Sequence, residues 1–397
     1  MTEPTGSNKT AHFHPSDLRA LARVATDAAA GIIEVVEDIH KSVIPPAVAS
    51  ELAPLTYRTL RGAARLFGGG AEMTLAQVGE LLGRREDSVQ RRAALAVLNG
   101  LWGDYLARTD SSLALPMAFR YGDGALSPPR RRLVVLVHGL CLDDRGWARN
   151  GGDPAGGSGD YGAALARDLG YSPVYLTYNS GLHVSSNGRA LAVMLQALVD
   201  VWPVEVEELV LVGHSMGGLV ARSAGYYGTA LAHDWPARLR SVVFLGTPHH
   251  GAPLERGGNW FNVMIDASPY MLPFSRLGQR RSAGITDLRY GSLVDEDWLG
   301  RDRFANAPDA RCLVPPLPGV GYYAAAAMLS GAADSPAARL LGDGLVPLDS
   351  ALGRHADPAR CLSFDEAHSW VGRGLSHLDL LNHPDVYARL RGWLAGS

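Results

Sequence analysis

The stretch Val210-Leu211-Val212-Gly213-His214-Ser215-Met216-Gly217-Gly218-Leu219-Val220 constrains this chain more than any other. Its β-branched apolar run reads as a buried strand, and the apolar residues beyond the glycines read as the start of a helix. Between them, the glycines flanking Ser215 permit a turn sharp enough to hold a serine in strained backbone geometry with its hydroxyl exposed. That is the mechanical requirement for a nucleophile elbow, which in turn calls for parallel strands feeding helices. In a chain with 46 glycines among 397 residues, the bare Gly-x-Ser-x-Gly pentapeptide recurs by chance, so its neighbours along the chain must carry the reading.

The rest of the chain supplies that setting. A hydrophobic fraction of 47% and a charged fraction of 19% suit a globular protein that buries a full core, and the length allows one large α/β domain plus an appendage. Residues 1–14 are polar and are expected to be disordered. From 15 to about 110 the pattern is helical: Leu18, Leu21, Ala25, Ala28, Ile32, Val35 and Ile39 recur at three- and four-residue steps, and further helices are expected over 51–67, 74–82 and 88–106. This region is either an oligomerisation or membrane-surface device or, more simply, a set of helices packed on its neighbour.

From 115 to the end, strands alternate with helices. Strands are expected at 116–121 (an antiparallel edge), 133–137, 172–178, 209–212, 241–245, 319–328 and 360–364, with helices at 187–201, after Leu219, and at 384–394. The alternation breaks over about 252–309, where Trp260, Phe261, Met264, Ile265, Tyr270, Met271 and Phe274 cluster with Pro and Gly. An insertion placed there is where a lid or cap would sit. The expected architecture is therefore α/β, a mainly parallel central sheet flanked by helices, with an N-terminal helical region and a lid or cap insertion.

In open parallel sheets the active site lies beyond the carboxyl ends of the strands. Ser215 is a weak nucleophile until a base removes its proton. The elbow fold orders its triad as serine, acid, histidine, which points downstream. Asp343, read at a strand end in an Asp-Gly turn, is the candidate acid, with Asp365 as fallback. His377, in a loop ahead of the last helix, is the candidate base; His368 is second choice, and His383 beside Pro384 looks like the start of that helix. Two backbone N–H groups must stabilise the oxyanion: Met216, next to the nucleophile, and Leu140, in the His138-Gly139-Leu140 turn after the strand at 133–137. His249-His250 are adjacent residues in a loop, which seldom converge on one ion, so no metal is expected.

Taken together, Val137-His138-Gly139-Leu140, Gly213-His214-Ser215-Met216-Gly217-Gly218, Gly246-Thr247-Pro248-His249-His250-Gly251, Asp343-Gly344-Leu345-Val346 and Ser376-His377-Leu378-Asp379 resemble the bacterial lipase and esterase branch of the α/β-hydrolase superfamily. They are similar also to GPI inositol-deacylase-like hydrolases. The resemblance implies an α/β-hydrolase fold over roughly 130–395 and a Ser215, Asp343, His377 triad cleaving carboxylic esters. Acyltransferase, thioesterase and polyester depolymerase chemistry, or a non-enzymatic ligand- or membrane-binding role, are the alternatives. In some secreted lipases the family also holds a calcium ion partly through the aspartate two residues after the catalytic histidine. Asp379 fills that place, but no partner aspartate is identifiable, so no cofactor is expected.

The net charge of -3 leaves no electrostatic footprint for nucleic acid, and no basic block suits anionic lipid, so the expected partner is a small ester or lipid-like substrate. The first residues lack a signal-peptide layout and no apolar run is long enough to span a bilayer. Cys141, Cys312 and Cys361 are an odd set in unrelated contexts, which favours a reducing compartment over a disulfide framework. The expected location is cytoplasmic.

Overall fold

A computed structural model describes residues 89–122, 128–148, 159–252, 281–302, 309–330 and 335–396. The expected tail at 1–14, the helices over 15–39, 51–67 and 74–82, and the insertion's residues 253–280 and 303–308 lie outside the described residues.

The elements run in the order α1 (Val89–Arg108), β1 (Ala118–Tyr121), β2 (Arg132–Val137), α2 (Tyr161–Leu169), β3 (Ser172–Thr177), α3 (Val184–Val201), β4 (Glu208–His214), α4 (Met216–Ala230) and β5 (Leu239–Leu245). They continue with α5 (Ala283–Leu288), β6 (Gly321–Met328), α6 (Pro336–Leu341), α7 (Leu348–Ala351), β7 (Ser369–Arg373) and α8 (Pro384–Ala395). Among the described residues seven strands form one sheet in the order β1-β3-β2-β4-β5-β6-β7. Only β1 is antiparallel, Ala118 pairing with Thr177 and Tyr121 with Val174; every other neighbour is parallel.

The strands are apolar on both faces because helices cover both. Side chains alternate across a strand, so Leu133, Val135, Val137, Leu209 and Leu211 join a core with α1, α3 and α4. Val134, Leu136, Val210 and Val212 face the opposite core, built with α2 and α8. Helix α2 starts at an Asp160 cap that accepts from the N–H groups of Gly162 and Ala163, and ends at Gly170 in the left-handed region, φ 74°.

Three sequence expectations are corrected. No strand forms over 360–364; the last strand is Ser369–Arg373, where Ser369, Trp370 and Val371 pair with Ala324, Ala325 and Ala326. Residues 361–364 instead run outside the sheet, with Leu362 N–H donating to the Gly353 carbonyl at 2.8 Å and Phe364 set edge-on to Phe244. Asp343 does not sit at a strand end: α6 intervenes after β6, and the turn follows that helix. Helix α3 begins three residues earlier than expected, at Val184, because His183 and Val184 are fixed by the Asp287 carboxylate.

Helix α1 is buried on nearly every side over Ala94–Trp102. Its glycines let the residues of neighbouring loops come close. A Cβ on Gly100 would lie 2.2 Å from Cys141 Sγ, and one on Gly103 would lie 1.7 Å from Asn179 Oδ1. The buried Asn99 side chain donates to the carbonyls of Leu95 and Leu113 and accepts from Leu115 N–H at 2.9 Å, fixing how the chain leaves the helix.

Candidate active site

Ser215 sits between β4 and α4 with φ 53° and ψ -124°, a conformation that costs a non-glycine residue of order 1–3 kcal/mol and is held by its surroundings. The Ser215 N–H donates to the Leu245 carbonyl at 2.8 Å, and its own carbonyl accepts from Gly218 N–H at 3.1 Å. The neighbouring glycines are required by space. A Cβ on Gly217 would lie 2.1 Å from the Val137 carbonyl oxygen, and one on Gly213 would lie 2.5 Å from Gly218 Cα. Only bare backbone lets α4 start this close to β2 and β4.

The two partners expected from the sequence converge on the same edge. His377 Nδ1 is 2.7 Å from Asp343 Oδ2, and both side chains are buried. The other Asp343 oxygen accepts from the N–H groups of Leu345, 3.0 Å, and Val346, 2.8 Å, so the turn itself orients the carboxylate. His377 is further fixed through its backbone. Its N–H donates to the Asp343 carbonyl at 3.1 Å, and its carbonyl meets His214 Nε2 at 3.1 Å. Gly246, φ 61°, lies against the imidazole: a Cβ there would come within 3.1 Å of Cε1 and Nδ1.

Ser215 and His377 line one cavity with Gly139, Leu140, Pro248, Ala252 and Leu288. No described residue hydrogen-bonds the Ser215 hydroxyl, and none accepts from the backbone N–H of Leu140 or Met216. The fallback residues are elsewhere. Asp365 is exposed and 4.0 Å from His368, which packs on Tyr323, and His383 caps α8 by accepting from Asp385 N–H.

Asp379, two residues beyond His377, serves the loop itself. Its Oδ2 accepts from both the N–H and the hydroxyl of Ser376, each at 2.7 Å, which uses the carboxylate to shape the loop carrying His377. Among the described residues no three acidic, histidine or cysteine side chains group around a metal site.

Sequence reasoning missed the supports of the loop after β2. Cys141 has φ 60° and donates its N–H to Ser180 Oγ at 3.1 Å; burial pushes its thiol pKa up, so it is an inert packing group. Asp144, fully buried, is paired with Arg92 of α1 and Arg120 of β1 and accepts from Thr177 at 3.0 Å. Burial opposes its ionisation, but the Arg120 and Arg92 guanidiniums outweigh it and hold the carboxyl below the usual range. His138 stacks on Tyr178 at 4.3 Å, and burial lowers its pKa. The Asp143-Asp144 pair was a visible signal; nothing in the sequence marks Arg92 as its partner.

Residues 132–299 match the family model described as the PGAP1-like alpha/beta domain. No curated protein sequence matches the chain significantly. Among solved structures, the mature lipase BlEst2 of Bacillus licheniformis is 20% identical, aligned over 70% of this chain and 97% of its own, with a TM-score of 0.44. The Staphylococcus hyicus lipase is 14% identical over 67% of this chain and 96% of its own, TM-score 0.37. Aspergillus fumigatus lipase B is 10% identical over 94% and 83%, TM-score 0.40.

Proposed function

We propose, from the premise that this chain has an α/β-hydrolase fold with a PGAP1-like α/β domain over residues 132–299, that it is a serine hydrolase of carboxylic esters. The observation that carries the reading is the 2.7 Å His377–Asp343 pair, whose histidine shares a cavity with a serine held at positive φ. A structural histidine needs no such serine beside it.

In this reading Asp343 accepts from His377 Nδ1–H, which leaves Nε2 as the base. Nε2 takes the Ser215 proton as Oγ bonds to the ester carbonyl carbon. The carbonyl oxygen becomes an oxyanion stabilised by the N–H groups of Leu140 and Met216. His377 then passes its proton to the departing alkoxide, leaving an acyl-serine; water, deprotonated by the same histidine, adds to it, and the acid leaves as Ser215 regains its proton. The contact between Ser215 and His377 forms with substrate bound, since such hydrogen bonds commonly tighten only in the complex. The apolar insertion supports lipid-like or medium-chain esters as the substrate class.

Hydrolysis of a nitrophenyl ester series, short to long acyl, by the parent protein and by Ser215→Ala tests this. Loss of about 10³-fold or more in kcat in the variant is expected. Undiminished turnover by Ser215→Ala, or no turnover of any ester by the folded parent, would overturn the reading.

A further inference from the structure

The turn after β2 uses its backbone N–H groups unequally. Cys141 N–H donates to Ser180 Oγ at 3.1 Å, and Leu142 N–H donates to the Gly139 carbonyl at 3.3 Å. Leu140 N–H, between them along the chain from Gly139, meets no acceptor among the described residues. The peptide that carries it lies against the nucleophile. A Cβ on Gly139 would stand 3.0 Å from Ser215 Cβ, and Gly139, Leu140 and Ser215 line one cavity.

A peptide unit is planar and trans, so its carbonyl and its N–H point in opposite directions. Whatever holds the Gly139 carbonyl therefore aims the Leu140 N–H. The shorter of the two bonds to that carbonyl comes from a side chain, His138 Nδ1, at 2.8 Å. A carbonyl can only accept, so Nδ1 carries the proton of the ring. Burial lowers the pKa of His138 and keeps the ring neutral, which leaves Nε2 as an unprotonated acceptor. Tyr178 secures this arrangement twice: its ring stacks on the imidazole with the planes 21° apart, and its hydroxyl donates to the His138 carbonyl at 2.8 Å.

An imidazole at this position carries a penalty. His138 is 1% exposed, and its Nε2 is buried with no hydrogen-bond partner among the described residues, an unmade bond that destabilises the fold. A phenyl ring would stack on Tyr178 without that penalty. What a phenyl ring lacks is a donor for the Gly139 carbonyl.

We propose that His138 is a positioning residue for ester hydrolysis at Ser215: its Nδ1–H, bonded to the Gly139 carbonyl, turns the Gly139–Leu140 peptide so that the Leu140 N–H faces the oxyanion. The proposal rests on the serine hydrolase reading above. It places the contribution of the ring in the transition state, where the oxyanion exists, and not in the binding of the ester.

Two substitutions separate the hydrogen bond from the packing. His138→Phe keeps a ring against Tyr178 and loses the donor, whereas His138→Asn loses the ring and puts an amide N–H where Nδ1–H was. Nitrophenyl ester kinetics and urea unfolding are measured on both, beside the parent and Ser215→Ala. His138→Phe is expected to lose about 10²-fold in kcat with KM nearly unchanged. His138→Asn should recover about tenfold or more of that loss, the worth of one hydrogen bond, while being the less stable of the two. A packing role alone predicts the reverse order of activity. Nitrogen NMR of the histidine-labelled parent, assigned by the signal that a folded variant lacks, should show His138 protonated on Nδ1. The tautomer is read on the parent, so it decides even where one variant does not fold. Parent-like kcat in His138→Phe, the reverse order of the two variants, or a proton on Nε2 overturns this proposal and leaves the ester hydrolase reading standing. A folded parent that turns over no ester overturns that reading and this proposal with it.

Discussion

Gly100→Ala is a sharp test of how the site is supported. In an exposed helix the change stabilises by about 1 kcal/mol, because alanine is the better helix former. Here the new Cβ would lie 2.2 Å from Cys141 Sγ, 2.9 Å from Cys141 N and 3.0 Å from its Cα. Two of those atoms are backbone, and Cys141 is pinned by its bond to Ser180 and by its φ of 60°. Relief therefore has to come from moving the loop, at a cost of about 1–3 kcal/mol for overpacking. Net stability should fall by up to about 2 kcal/mol once the helix gain is subtracted. The adjacent Leu140 N–H, proposed above as an oxyanion donor, moves with Cys141, and misplacing one such donor costs about 10²-fold in kcat. Ester kinetics beside urea unfolding would read both effects: kcat falls, KM changes little, and Cys141→Ala in the same chain recovers part of each by removing the sulfur. A Gly100→Ala protein that is more stable than the parent and equally active would refute the close approach of α1 to this loop.

Asp144→Asn should destabilise by about 1–3 kcal/mol, since the part-exposed Arg92 and Arg120 guanidiniums lose their charge-assisted bonds to a buried carboxylate; urea midpoints equal to those of the parent would refute a stabilising role for the cluster. Stability should also fall on mild acidification. His138, His249 and His250 all have lowered pKa values, His250 to about 4, with burial the first cause and Arg311 and His355 adding to it. A histidine kept neutral in the fold takes up its proton on unfolding, so the stability is fully present above the ordinary value of 6.5 and is lost as pH falls from there toward 4. Unfolding free energies measured between pH 7.5 and 4.5 should decline with falling pH, and a flat profile would mean that these rings are hydrated.

The order of the fold was legible where hydrophobic runs are long. Leu133–Val137 and Val210–Val212 mark central strands because both faces are covered, and the glycines around Ser215 mark the turn because nothing larger fits. That Asp343 and His377 meet was legible through chain order, since a loop ahead of a closing helix has few other places to go. The strand at 369–373 was missed because Ser369-Trp370-Val371-Gly372-Arg373 is short and lies on an edge, while Cys361-Leu362-Ser363-Phe364 offers a better apolar alternation. The Arg92–Asp144 pair and the seat of Gly100 on Cys141 were illegible, because contacts between residues tens of positions apart leave no local period.

The seat of α1 also has a consequence in time. Gly100 accepts from the Ser282 hydroxyl at 2.6 Å, and the two residues are 182 positions apart. On a ribosome adding about 5–20 residues per second, the helix would wait roughly 10–40 s before the segment that closes over it is made. Through that interval Leu95, Leu98, Leu101 and Leu106, all buried in the finished fold, lack part of their cover. Slowing or speeding elongation between these two points should change how much of the nascent chain aggregates, even though the finished protein is the same.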